Sequence, residues 1–192
     1  MPEKSGWIFE MDELDKTASI TNLVDRKKYF ITILTREVEM FGRTSKSPVV
    51  VGGTAVDIYT RGLFPSRDID LIGDRRVIGE ILEKKFGFAR AGRHWVNERI
   101  GIFIEVPGDH FSGDKNKITT IRVGSLKLYI IGIEDLIIDR LNACVHWESE
   151  TDCEQARYMI RYYRDRLDFR YLEKKAKDEG ILKALREFCK ED

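Results

Sequence analysis

The chain has 192 residues, of which 42% are apolar and 34% are charged. This length fits one compact domain, or a domain with a helical annex, and the apolar fraction suffices for a hydrophobic core. Its 33 basic and 33 acidic side chains cancel. Net charge therefore excludes a general electrostatic attraction to nucleic acid, and such binding would require a local basic patch.

The sequence also predicts a compartment. Cys144, Cys153 and Cys189 are odd in number and lack a CxxC spacing, which predicts reduced thiols in an intracellular protein. No apolar stretch approaches the roughly 20 residues that span a bilayer, and the first residues lack the basic-then-apolar order of a signal peptide. We therefore expect a cytoplasmic protein without a membrane partner.

The first part of the chain alternates between helical and extended patterns. Apolar residues at helical spacing predict a long helix that Gly42 ends. A short buried strand leads into Gly52 and Gly53, and Thr54 is expected to cap the helix that follows. The elements predicted here are a helix over residues 25–41, a strand over 48–51, a helix over 54–61, a strand over 68–73 and a helix over 75–86.

The apolar period then changes to two, which predicts β-strands, and helical spacing returns near Gly132. A turn at residues 97–99 is expected to join the first two of these strands. The predicted strands cover residues 88–96, 100–106, 118–123 and 128–131. The predicted helices cover residues 133–146, 152–163, 168–178 and 181–188.

The predicted fold class is α/β, of the α+β kind, with a mixed β-sheet flanked by helices and a C-terminal helical segment. Three divisions are expected: an N-terminal extension over residues 1–24, an α/β core over 25–132, and a helical subdomain packed on the core over 133–192. The first long helix has two roles left open, covering the sheet or forming a homodimer contact.

A glycine pair followed by paired acids is the part of the sequence that indicates chemistry. Asp68 and Asp70 alternate on a predicted strand, so their side chains share one face. Two neighbouring carboxylates repel each other unless a cation lies between them, and a divalent ion is the simplest one. Gly52 and Gly53 end a strand where a helix begins, and backbone N–H groups there favour anions such as phosphate. The combination predicts nucleotide chemistry.

Glu105 is a third candidate, because it is the one acid in an apolar run over residues 102–106. On an adjoining strand it would complete an oxygen-ligand cage or accept a proton from an attacking hydroxyl. An edge position, or an ion pair with Arg67 or Arg93, explains this glutamate as well, and both explanations stay open.

These residues resemble the nucleotidyltransferase superfamily of DNA polymerase beta, in its minimal bacterial and archaeal branch. That pattern is a strand, a glycine pair, a helix, an Asp-x-Asp strand and a later acid. It maps onto Gly52 and Gly53, then Asp68 and Asp70, then Glu105. The chain is also similar to the branch of abortive-infection toxins and related nucleotidyltransferases, whose later helix carries Leu-(Glu/Asp)-Asp-Leu-x-x-x-Lys-x-x-Ala.

The second part of this resemblance lies over residues 133–143, followed by Thr151 and Asp152, and the whole covers about residues 48 to 160. Thr54, Glu105 and Arg140 stand where serine, aspartate and lysine are usual. Arg140 keeps the positive charge but changes the donor geometry, which bears on the acceptor substrate more than on the chemistry.

The resemblance implies an enzyme that moves a nucleoside monophosphate from a nucleoside triphosphate (NTP) to a hydroxyl of RNA, protein or a small molecule. It implies that Asp68, Asp70 and Glu105 are catalytic and bind Mg²⁺ or Mn²⁺. The nucleotide-binding residues that it implies are Gly52, Gly53, Thr54, Arg67, Arg140 and Asp152. The alternatives are a catalytically silent nucleotide-binding or interaction module on the same fold, and the toxin of a toxin–antitoxin pair.

Other candidate residues have simpler explanations. Arg140 also has Asp139, Glu134 and Asp152 within reach as ion-pair partners. The histidines, at positions 94, 110 and 146, lack metal-ligand spacing and are predicted to be ordinary. A basic and aromatic stretch over residues 157–166 is typical of a solvated helix face with its aromatics in the core, or of a nucleic-acid contact.

Overall fold

The structure is a computed structural model that describes residues 13–41 and 46–190. Its strands are β1 (Val49–Val50), β2 (Ile69–Ile72), β3 (Ala89–Ala91), β4 (His94–Asn97), β5 (Ile102–Glu105), β6 (Thr119–Val123) and β7 (Leu126–Ile130). Its helices are α1 (residues 13–19), α2 (Leu23–Phe41), α3 (Gly52–Tyr59), α4 (Arg75–Lys84), α5 (Ile133–His146), α6 (Glu150–Tyr163), α7 (Phe169–Asp178) and α8 (Leu182–Phe188).

The strands form one seven-stranded sheet in the order β3-β4-β5-β2-β1-β7-β6. Strand β1 is antiparallel to β2 and parallel to β7, whereas β2 is parallel to β5. Strand β4 is antiparallel to both β3 and β5. A mixed sheet flanked by helices confirms the predicted fold class.

Helices α2 and α4 cover one face of this sheet. Phe30 of α2 is fully buried, and its ring lies 5.3 Å from the rings of Phe86 and Phe88. Trp95 of β4 is also buried and packs so closely on α4 that a Cβ at Gly79 would lie 2.7 Å from its ring. This apolar core fixes which side chains of the central strands face the helices.

The chain divides into two compact units. One comprises residues 1–112 and 120–130, and the other comprises residues 113–119 and 131–192. The first unit holds nearly all of the sheet with helices α1 to α4, and the second holds helices α5 to α8. The three divisions expected from the sequence stay a prediction, as do the homodimer contact and the cytoplasmic location. None of the helices in the described residues is long and apolar enough to cross a bilayer.

Several predicted elements have shifted bounds in the structure, and two of the differences concern the candidate site. Helix α3 begins at Gly52, with Val51 as its N-cap, so Thr54 does not cap it. The strand expected over residues 88–96 is a hairpin of β3 and β4, because Gly92 adopts a φ of +61° and allows a tight turn. The expected end of the first long helix, at Gly42, lies outside the described residues.

The cysteine prediction is wrong for two of the three thiols. Cys144 of α5 and Cys153 of α6 form a disulfide, and Cys189 is free. The two helices pack against each other and bring the Cα atoms of Cys144 and Cys153 to 4.8 Å. Sequence spacing did not reveal this pair, because the cysteines approach through helix packing and not through a local motif.

Candidate active site

Polar side chains from three neighbouring strands form a row across the sheet. Asp70 of β2 is paired with Glu105 of β5, and Glu105 is paired with His94 of β4. Residues directly opposite each other in neighbouring strands project to the same face. Asp68 precedes Asp70 by two residues and shares that face. The register therefore brings together the three acids that the sequence singled out, and it adds a histidine.

The alternating residues explain why this row faces away from the helices. Ile69 and Leu71 of β2, Ile104 of β5 and Trp95 of β4 are each at most 1% exposed. Burial of these large side chains stabilises the sheet by roughly 1.5–3 kcal/mol each. A one-residue slip of any strand would expose its apolar set, so the core holds the polar row in register.

The distances within the row are those of a site that can hold a cation. His94 Nε2 lies 3.3 Å from Glu105 Oε2 and 3.7 Å from Asp68 Oδ2. One donor atom from each of these three residues lies within 4.8 Å of the other two. The side chains are half-buried, with exposed fractions of 29% for His94, 33% for Asp68 and 18% for Glu105.

The pKa of Asp70 is raised in this arrangement. Burial, followed by the charge of Asp68, raises the pKa of Asp70 from 3.8 to about 6. The charge of Glu105 adds to the rise, and hydrogen bonds from the backbone N–H groups of Thr54 and Gly53 oppose it. A carboxylate pKa raised by burial and by neighbouring carboxylates is typical of a site that binds a cation or a proton.

The glycine pair lies directly against Asp70. Gly52 has a φ of +57°, and a Cβ built there would lie 2.7 Å from Asp70 Oδ2. A Cβ at Gly53 would lie 3.2 Å from Ser66 Oγ. The glycines therefore permit a backbone turn and a close approach of a carboxylate to the N-terminus of α3.

Thr54 joins α3 to the strand that carries the acids. Its side chain is fully buried, and its Oγ1 donates a hydrogen bond of 2.6 Å to the carbonyl of Asp68. The same oxygen accepts a 3.2 Å bond from the N–H of Asp70. In this structure the hydroxyl bridges the backbone on both sides of Ile69, and its predicted contact with a phosphate stays a prediction.

A buried ion pair supports the loop before β2. Lys27 Nζ of α2 lies 3.0 Å from Asp57 Oδ2, with side-chain exposures of 2% and 1%. Lys27 also donates to the carbonyl of Ser66, and the N–H of Ser66 donates to Asp57 at 3.3 Å. These contacts fix the loop from which Asp68 projects.

One of the ion pairs that the sequence left open for Glu105, the pair with Arg93, is present. Arg93 Nε lies 3.4 Å from Glu105 Oε1, with 72% of the arginine side chain exposed. Arg67 is exposed on the loop before Asp68. Its role with a triphosphate stays a prediction.

Arg140 and Asp152 lie in the second unit, where they pair with each other. Arg140 Nη1 donates to Asp152 Oδ1 at 2.7 Å, and its Nη2 contacts Asp139. Ser149 also donates a 2.5 Å hydrogen bond to Asp152. The predicted ion-pair alternative is therefore present, and the nucleotide-binding roles of these two residues stay predictions.

His94 is the residue of this row that sequence reasoning missed. It was expected to be ordinary because no ligand lies at metal-site spacing along the chain. The available signal was the turn at Gly92, since a hairpin there places His94 and Asn97 opposite the ends of the next strand. The single long strand expected over residues 88–96 contains no turn, so it did not predict that His94 pairs with Glu105.

No family model matches the chain, and no curated protein matches it. Solved structures do match. An antigenic nucleotidyltransferase-like protein from Paracoccidioides brasiliensis has a TM-score of 0.55 and 16% identity, over 79% of this chain and 77% of that chain. The solution structure of the antibiotic-resistance factor ANT(2'')-Ia has a TM-score of 0.45 and 14% identity, over 83% of this chain and 93% of that chain. The first likeness establishes that this chain has a nucleotidyltransferase-like fold.

Proposed function

We propose that this protein is a metal-dependent nucleotidyltransferase that moves a nucleoside monophosphate from an NTP to a hydroxyl-bearing acceptor. The observation that carries the proposal is the side-by-side register of Asp70 and Glu105, with Asp68 on the same face and the N-terminus of α3 against Asp70. The resemblance of the sequence pattern and the likeness of the fold support it.

The acids fit the hard divalent ion that the fold family uses. The charges of Asp68 and Glu105 raise the pKa of Asp70, and donor oxygens of Asp68 and Glu105 lie within 4.8 Å of each other, as oxygen ligands do before a cation binds. Asp68, Asp70 and Glu105 would hold Mg²⁺ or Mn²⁺, which when bound neutralises phosphate charge and activates the nucleophile.

The remaining roles follow from position. The N–H groups of Gly53 and Thr54, which now bond Asp70, are suited to the β and γ phosphates at a helix N-terminus. Glu105 would accept the proton of the acceptor hydroxyl. The hydroxyl oxygen then bonds to the α-phosphorus as the bond from that phosphorus to pyrophosphate breaks.

RNA is a suitable acceptor to test first. On α6 the rings of Tyr158 and Tyr162 are stacked at 5.6 Å, and Tyr162 is 50% exposed. Arg161 and Arg164 are exposed beside them. Exposed aromatic and basic side chains bind single strands by stacking and phosphate contact.

The test is incubation of the purified protein with α-labelled NTPs, Mg²⁺ or Mn²⁺, and mixed RNA, protein and small-molecule acceptors. Wild type should label an acceptor and release pyrophosphate, and a variant with both Asp68→Asn and Asp70→Asn should not. Asp178→Asn is the matched control, because it removes an exposed carboxylate of the second unit. Equal labelling by the double variant, or phosphate release without a labelled acceptor, contradicts the proposal.

A catalytically silent nucleotide-binding module is the second candidate, and two observations favour it. Asp70 occupies the N–H groups expected to bind phosphate, and Arg93 already pairs with Glu105. Such a module would bind NTP with an affinity that does not depend on divalent ions and would not turn it over. Equilibrium binding with and without Mg²⁺ therefore separates the two functions.

A further inference from the structure

We propose that His94 is a ligand of the bound ion, so that Asp68, His94 and Glu105 form a mixed nitrogen and oxygen site that selects Zn²⁺ over Mg²⁺. The inference rests on the proposed function for the use of the ion. It deepens that function by naming the class of metal.

The donor distances carry the first step. Metal–nitrogen and metal–oxygen bonds of about 2.0–2.2 Å at tetrahedral angles place donors about 3.3–3.6 Å apart. The separations from His94 Nε2 are 3.3 Å to Glu105 and 3.7 Å to Asp68, and all three donor atoms lie within 4.8 Å of one another, so the three groups are near enough to bind one ion.

His94 is also held in place rather than free on the surface. The next residue, Trp95, is 1% exposed, and its Nε1 donates a 2.8 Å hydrogen bond to Glu83. The guanidinium groups of Arg75 and Arg90 lie 5.5 and 4.7 Å from the tryptophan ring. Because Trp95 is fixed on the helix-covered face, the strand alternation fixes His94 on the opposite face, beside Glu105.

The two oxygens of Glu105 have different neighbours. Oε1 lies 3.4 Å from Arg93, and Oε2 lies 3.3 Å from His94. Arg93 therefore contacts Oε1, and Oε2, which faces His94, is available to bind the ion. Asp68 contributes Oδ2 in the same way, since its other oxygen lies 3.4 Å from Ser66 Oγ.

The ligand chemistry decides the class of metal. Imidazole nitrogen suits zinc, copper, iron and nickel, whereas Mg²⁺ takes oxygen ligands and tolerates little deviation from octahedral geometry. One imidazole and two carboxylates supply three ligands, which leaves the fourth position of a tetrahedral shell for water or substrate, as in catalytic sites. The competing explanation is that a protonated His94 bridges Asp68 and Glu105 without any ion.

Histidine NMR separates these explanations, because the chain has only 3 histidines. The sample is untagged protein labelled with ¹⁵N-histidine, carrying Cys189→Ser because a free thiol also binds zinc. It is titrated with ZnCl₂ without nucleotide. A His94 ligand predicts a large change in the Nε2 signal of His94 that is complete at one molar equivalent, with the other two histidines unchanged.

Calorimetry supplies the second readout. His94→Ala and His94→Gln should weaken Zn²⁺ binding by about tenfold or more, and should change Mg²⁺ binding by less than about threefold. His110→Ala is the matched control and should change neither affinity. An unshifted His94 signal with zinc bound, or wild-type zinc affinity in both variants, overturns the proposal. A protonated bridge predicts that second result.

The two proposals fail separately. Nucleotide transfer that requires a divalent ion, together with wild-type Zn²⁺ affinity in His94→Ala, would overturn the histidine ligand and leave the proposed function in place. Zinc bound through His94 with no NTP consumed on any acceptor would support the histidine ligand and contradict the proposed function.

Discussion

The acids of the two units differ in what surrounds them. In the first unit, Asp68, Asp70 and Glu105 lie side by side, and within the described residues no lysine or arginine pairs with Asp70. In the second unit, Asp135 is only 6% exposed, yet its oxygens accept hydrogen bonds from Tyr171 Oη at 2.5 Å and from the N–H of Asp114 at 2.8 Å.

Two further acids of the second unit are also paired. Glu134 accepts a 3.0 Å bond from the N–H of Asp168 and lies 3.5 Å from Lys117 Nζ. Asp152 pairs with Arg140. Each of these carboxylates therefore interacts with a hydrogen-bond donor or a basic side chain of the folded protein. The two groups of acids differ in pairing more than in burial, because the described residues give Asp70 no basic partner and give each of these second-unit acids a donor.

The largest expected effect is on transfer. Asp70→Asn removes a charged oxygen from the row, and metal stabilisation of transition-state charge contributes several kcal/mol, so the rate should fall by about 100-fold or more. Initial rates with the best acceptor measure this. A rate within about twofold of wild type would show that Asp70 is not needed for transfer. The difference between the acids of the two units would then have no functional meaning for Asp70.

The same variant should make the folded protein more stable. The folded-state pKa of Asp70 is raised from 3.8 to about 6, so ionising this group costs folding free energy. Asparagine keeps an oxygen for the N–H groups of Gly53 and Thr54 without the charge. We expect the free energy of unfolding at pH 7.5 to rise by about 1–3 kcal/mol, measured by urea denaturation.

The gain should depend on pH with a definite sign. Between about pH 4 and pH 6 the folded state binds more protons at Asp70 than the unfolded state, so wild-type stability falls as the pH rises. The difference between variant and wild type should therefore vanish below about pH 4 and be complete above about pH 6. A difference that is independent of pH would contradict a raised pKa of Asp70.

Asp135→Asn is the matched substitution in the second unit, and its sign should be opposite. The asparagine oxygen can accept from the N–H of Asp114 while its NH₂ group donates to Tyr171 Oη, so the charge-assisted bond from the tyrosine hydroxyl is replaced by a neutral one. Hydrogen bonds to charged groups are the stronger ones, so stability should fall by about 1–2 kcal/mol in the same urea assay. A gain in stability would mean that the charge of Asp135, like that of Asp70, destabilises the folded protein.

Gly52→Ala should destabilise the protein by about 1–2 kcal/mol. Its φ is +57°, and the new Cβ would displace the Asp70 carboxylate. Gly87→Ala is the control, because its φ of +65° is similar while no atom lies within 4 Å of the added Cβ. An equal loss in both variants would show that the contact with Asp70 contributes nothing beyond backbone strain.

The smallest effect is expected from Arg93→Ala. The arginine side chain is 72% exposed, and an exposed ion pair contributes less than about 1 kcal/mol. We expect thermal unfolding to change by no more than the scatter of the measurement. A large loss would indicate that Arg93 is the structural partner of Glu105, which would make Glu105 resemble the paired acids of the second unit.

Much of the fold was accessible from periodicity. The helix predicted over residues 133–146 has the same bounds in the structure, Ile133–His146, because long amphipathic stretches leave a strong pattern. The hairpin at Gly92 was missed because one glycine in an alternating run is a weak signal of a turn. The disulfide was missed because its two cysteines meet only through the packing of α5 on α6.

For the candidate site, the sequence by itself determined the chemistry of the parts: paired aspartates beside a diglycine, a lone glutamate in an apolar strand, and an α/β pattern around them. Only the tertiary structure decided that Glu105 lies beside Asp70, that His94 joins the row, and that Arg140 is committed to Asp152. The physical reason is that local periodicity sets which face a side chain occupies, whereas strand order and register, which bring distant segments together, are set by the burial of the whole core.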